Sequence, residues 1–175
     1  MKTNFKNQKT MLRSTKRQRG LTTIDYLLGM VGVALFIGLV MQFYPQITHS
    51  GNMSSLNSHI SQIQRASTDW KGLRSNFTGI GIDTPLCSSN YLNDSICGDD
   101  GSASNSNPWG SSYTIVANTN PSLIDVTIAG IHAGFVQQVA DRLAPLTADN
   151  CAYAGDGGTD CATVSISGQD VTITL

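Results

Sequence analysis

Gly20, Leu21 and Asp25 are the residues with the clearest chemical potential in this chain. Gly20 lies at the border between a cationic stretch and an apolar one, and Asp25 lies one helical turn beyond Leu21. Breaking the peptide bond after Gly20 creates an α-amino group on Leu21. In a bundle of such segments, that amine and the Asp25 carboxylate of a neighbouring copy can pair. The pairing offsets the burial of both charges and fixes the axial register between copies. Asp25 needs such a reason, because a carboxylate in a membrane-entering segment costs about 3 kcal/mol and is commonly functional.

The remaining candidates are fewer. Cys87, Cys97, Cys151 and Cys161 form two close pairs, each with nine intervening residues. Zinc knuckles use about two to four, so the spacing points away from metal. Two disulfides are expected, and three connectivities are open for four cysteines. The sequential pairing, Cys87–Cys97 and Cys151–Cys161, is favoured because each bond closes a short loop rich in Gly, Asp and Ser. His49 and His59 have no carboxylate or cysteine at ligand spacing and read as structural or solvated. His132 has Asp141 as its nearest following acid. Asp156 and Asp160 share a glycine-rich loop but lack the calcium-loop pattern and its terminal Glu. Nucleophile elbow, paired metal-binding histidines, phosphate loop and cofactor fingerprint are all missing from the sequence. The expectation is a non-enzymatic protein with no catalytic residue, no metal and no cofactor.

Charge and hydropathy say where these residues work. The chain has 175 residues, about one domain, and a formal net charge of −1. Residues 1–20 hold seven of the eleven basic side chains and no acid. From residue 21 onward four basic residues face twelve Asp, giving −8. The acidic remainder repels phosphate, so no direct nucleic-acid site is expected. Residues 26–44 are nineteen positions without a charge, close to the ~20 that a helix needs to cross a bilayer. The upstream cations hold residues 1–20 on the cytoplasmic side and send the rest outward. A secretory signal would end in a small-x-small cleavage site, whereas this run exits into Gln42-Phe43-Tyr44-Pro45-Gln46. A processing signal, if the chain carries one, must therefore lie on the cytoplasmic side, and Gly20, at the border between charge and apolarity, is where it would be.

Three stretches divide the chain: 1–20 as a basic leader, 21–45 as a hydrophobic membrane helix and 46–175 as a globular head. Pro45 is expected to kink or interrupt the helix, and Gly51-Asn52 to loosen it. Residues 52–76 then read as an amphipathic helix, with Met53, Leu56, Ile60, Ile63, Ser67 and Trp70 at three- and four-residue steps. Residues 76–108 read as a long loop held by Cys87–Cys97, with a short helical turn at 89–93. Strands are expected at 112–117, 123–129, 163–167 and 171–175, and a short helix at 132–143. Gly168-Gln169 suits a two-residue hairpin turn. The C-terminal cysteine region spans 151–161. The amphipathic helix, joined to the first segment, makes one long, kinked N-terminal helix. The fold class is α+β, with that long kinked helix packed on a roughly four-stranded antiparallel sheet.

The order of a basic leader ending in Gly20, Leu21, Asp25 and an apolar run resembles the N-terminus of a type IV prepilin. Leu21 where the commoner class has Phe, the 20-residue leader, and Asn107-Pro108-Trp109-Gly110 are similar to the type IVb class. That class includes subunits of thin conjugative pili and of toxin-coregulated-like pili. Asp25 stands where the family usually carries Glu and is one methylene shorter. The resemblance implies cleavage by a prepilin peptidase after Gly20 and N-methylation of Leu21. It implies storage as a single-pass inner-membrane protein with a cytoplasmic N-terminus, then polymerisation into an extracellular pilus. Its partners would be copies of itself in a helical homopolymer, minor pilins and the pilus assembly platform. The filament would serve adhesion, aggregation or conjugative DNA transfer. Two other readings remain: a minor pilin or secretion pseudopilin, and a single-pass anchored binding module.

Overall fold

The computed structural model describes residues 23–153 and 161–175. The leader 1–20, Gly20, Leu21, Asp156 and Asp160 lie outside these described residues. The chain divides into two units, Met1–Phe43 and Tyr44–Leu175.

One helix, α1 (Thr23–Lys71), contributes to both units. It is one long helix, as expected, and is unbroken at Gly51-Asn52 and at Pro45, where an interruption is the alternative to a kink. The missing amide donor of a proline removes one bond of the ladder, which long helical stretches on either side can carry. The helix stops at Lys71 rather than reaching residue 76, because Gly72 adopts φ +46° and turns the chain.

Within the second unit the 3.6-residue spacing of α1 does what the sequence expects. Met53, Leu56, Ile60, Ile63, Ala66 and Trp70 are buried along one stripe. They share a core with a four-stranded antiparallel sheet of order β1-β2-β4-β3, made of β1 (Tyr113–Ala117), β2 (Ile124–Ile128), β3 (Val164–Ser167) and β4 (Asp170–Thr174). The register aligns Ile115, Val126, Ile173 and Val164 in one buried row across all four strands. The adjacent row, Thr114, Thr127, Thr172 and Ser165, is polar and outside the core, with the Thr127 and Thr172 hydroxyls 2.8 Å apart. Two-residue alternation therefore sorts the two faces completely at this point. His59 of α1 reaches the buried face, its Nδ1 lying 3.0 Å from the Tyr113 hydroxyl.

A short helix, α3 (Val136–Leu143), lies against β3 and β4 and buries Val136, Val139, Ala140 and Leu143. The region 76–108 is less of a loop than its composition suggests. A helical turn at Ile82–Cys87 and the one-turn helix α2 (Asp94–Cys97) replace the expected turn at 89–93. Both supply apolar residues to the core: Ile82, Leu86, Cys87, Ile96 and Cys97. Asn93 sits at the N-cap position of α2, so the polar residues that suggested a helix precede it instead.

The turn Asn107-Pro108-Trp109-Gly110 is fixed by a single buried amide. The Asn107 Oδ1 accepts the Trp109 and Ser111 amides at 2.9 Å each. Its Nδ2 donates to the Ala129 carbonyl at 2.6 Å and to the Ser112 carbonyl at 3.2 Å. Nearby, Gly130 has φ +70°, and a Cβ there would fall 2.7 Å from that of Ser111. Asn107→Ala leaves these groups without their partner, so a loss of roughly 2–4 kcal/mol is expected. Denaturant unfolding of the purified chain checks this, and an unchanged midpoint would refute the anchoring role.

Candidate functional site

The first candidate surface is the N-terminal part of α1. Every side chain from Thr23 to Tyr44 is exposed, including Leu28 at 69%, Phe36 at 67% and Met41 at 71%. An isolated water-soluble domain rarely presents so large an apolar surface, and surfaces of this kind are commonly covered by a membrane or a partner. Among the described residues α1 is the one helix long and apolar enough to cross a membrane. Its residues 23–43 span roughly 30 Å at 1.5 Å per residue, the thickness of a hydrocarbon core. Asp25 lies in the first helical turn, where a carboxylate interacts favourably with the helix dipole.

Gly29, Gly32 and Gly38 sharpen this picture. A Cβ built at any of them meets no atom of the described residues within 4 Å. Packing among the described residues therefore does not require glycine there. Close approach of a second helix is a physical reason for small residues at such positions.

The cysteines form the second candidate set. Cys87 is bonded to Cys97, with Cα atoms 5.6 Å apart, and Cys151 to Cys161, with Cα atoms 5.4 Å apart. The first bond joins the Ile82–Cys87 turn to α2 and is buried. Around the second, the Thr163 hydroxyl donates to Thr147 at 2.8 Å, and Thr147 donates to the Ala144 carbonyl at 2.7 Å. This places Cys151 and Cys161 themselves against the end of α3 and the start of β3.

The histidines do not converge. His59 is partly buried and bonded to Tyr113; burial lowers the His59 pKa and raises that of Tyr113. His132 is exposed and accepts the Gly134 amide at 3.3 Å. His49, expected to be structural or solvated, is buried and stacks on Phe135 with ring centroids 3.9 Å apart and planes at 10°. Trp109 lies 6.5 Å from it, centroid to centroid. No sequence signal marked this pairing, because Phe135 belongs to a distant stretch and the residues flanking His49 are polar. Among the described residues no cluster of His, Cys, Asp or Glu is suited to a metal ion.

No family model matches this chain, and searches of curated proteins and of solved structures return no significant match.

Proposed function

We propose that the protein is a structural subunit of a type IV pilus, of the type IVb class. One observation carries the reading. A single helix, α1, is exposed and apolar along its first twenty-odd residues, then supplies the core stripe of a disulfide-bonded α+β head. A plain membrane anchor needs the first part, but it gives no reason for Gly20 before Leu21, for Asp25, or for glycines that packing among the described residues does not demand.

In this reading a prepilin peptidase cuts after Gly20 on the cytoplasmic face, and the freed Leu21 amine is N-methylated. Subunits then leave the inner membrane and bury α1 in the filament, so that lipid contacts are exchanged for helix packing. The head faces the medium as the surface for adhesion, aggregation or conjugative contact. The self-association is the function, and no cofactor enters it.

The deciding experiment is the mass and N-terminal sequence of the chain recovered from sheared filaments. It should begin at Leu21, and Gly20→Val should leave the precursor in the membrane with filaments reduced below about one tenth. Filaments built from a chain that retains residues 1–20 would overturn the proposal. Recovery of a membrane-bound mature chain with no filaments at all would favour the anchored binding module instead.

A further inference from the structure

His49 has no part in the assembly chemistry, yet its placement is unusual for an imidazole. It is 7% exposed, on a turn of α1 that faces the beginning of α3, and its ring lies flat on Phe135. Both ring nitrogens are buried without a hydrogen-bond partner. Gln138 sits close enough to favour the charged ring but completes no hydrogen bond with it. An apolar ring would satisfy this contact equally well, so the imidazole places two unsatisfied polar atoms at the seam.

The surroundings decide what a proton would do there. On the α3 side His49 and Phe135 line a cavity of about 530 Å³ with Met53, Gln138 and Arg142. On the other side they line an apolar groove of about 300 Å³ with Tyr44, Trp109 and His132. The titratable and charged groups on these walls are Arg142 from α3, His132 from the loop before it, and Tyr44 from α1 itself. Among the described residues neither wall carries a carboxylate. A proton on His49 therefore meets no counter-charge from these walls and the like charge of Arg142.

We propose that His49 is an acid-sensitive latch: the neutral ring holds α1 and α3 together through Phe135, and the protonated ring releases them. The charged imidazole leaves the stack for water in the polar cavity, because there it regains the hydrogen bonds that burial denies it. Burial, reinforced by the Arg142 charge and opposed by Gln138, already holds the His49 pKa below its ordinary value of 6.5. A base with a lowered folded-state pKa stabilises the closed form fully above the unfolded value. That contribution is lost as pH falls from about 6.5 toward the folded value. The latch is a property of the head and does not depend on filament assembly.

Hydrogen exchange of the full chain in detergent micelles, at about pH 7 and about pH 5, tests the latch. After correction for intrinsic rates, acid should accelerate the protected α3 amides, Val136–Leu143, on the order of tenfold. His49→Phe keeps an aromatic stack but cannot be protonated, and should remove the acceleration. The same acceleration in His49→Phe, or none in the wild type, overturns the proposal. Arg142→Gln supplies an independent check should the first variant fold poorly. It should move the acid midpoint to higher pH, and an unmoved midpoint refutes the arrangement.

Discussion

Asp25→Ala should leave cleavage after Gly20 intact and reduce filament yield at least about a hundredfold. In the proposed mechanism cleavage depends on the sequence around Gly20, whereas assembly depends on a pair formed between copies. Removing one partner of a buried ion pair leaves the other charge without compensation, at about 3–5 kcal/mol. Every subunit added to a filament meets that penalty, and each 1.4 kcal/mol is about tenfold in an association constant. The mature mass should therefore be normal in the membrane fraction while the sheared fraction is nearly empty. Asp25→Glu adds one methylene and keeps the charge, so it should restore most of the yield. Normal filaments from Asp25→Ala would show that the carboxylate only sits near the lipid headgroups.

The second large effect separates the two parts of α1. Ile60→Ala removes a fully buried side chain from the stripe that faces the sheet core. Truncation of such a residue costs ~2–5 kcal/mol through lost transfer energy and the cavity left behind. For a head of this size that corresponds to a fall of about 10 °C or more in Tm. Leu35→Ala, on the same helix, removes a side chain that is 66% exposed among the described residues. The same thermal scan should place Leu35→Ala within about 0.5 kcal/mol of the wild type. Equal losses from both variants would contradict the exposure of Leu35.

The parts of this fold that were legible in the sequence are those set by period. The alternation of Ile124, Val126 and Ile128 and of Val171 and Ile173 located the central strands to within a residue. The three- and four-residue steps from Met53 to Trp70 located the buried face of α1. The open alternatives fell where local propensity competes with context. Pro45 and Gly51 are breakers by composition, yet both lie within a helix held by neighbours on either side. The strand order β1-β2-β4-β3 was not readable either, since β2 and β4 meet through an intervening helix and the cysteine region. Of the candidate sites, Asp25 and the cysteines announce themselves by type and position. His49 becomes visible only when Phe135, Gln138 and Arg142 are brought beside it by tertiary packing.

The strand order also dictates when the head can finish folding. β1 and β2 can pair as a local hairpin as soon as they are made, but β2 takes its other partner from β4, the last of the four strands. Such a long-range pairing is slow, because the intervening chain must first be brought back on itself. The stripe of α1 is synthesised long before the sheet it needs. During that interval Leu56, Ile60 and Ile63 are uncovered. In the proposed reading, anchoring the first part of α1 in a bilayer limits each nascent chain to two dimensions and keeps its neighbours at a distance. A slow, end-dependent fold is then completed before the proposed subunits are brought together.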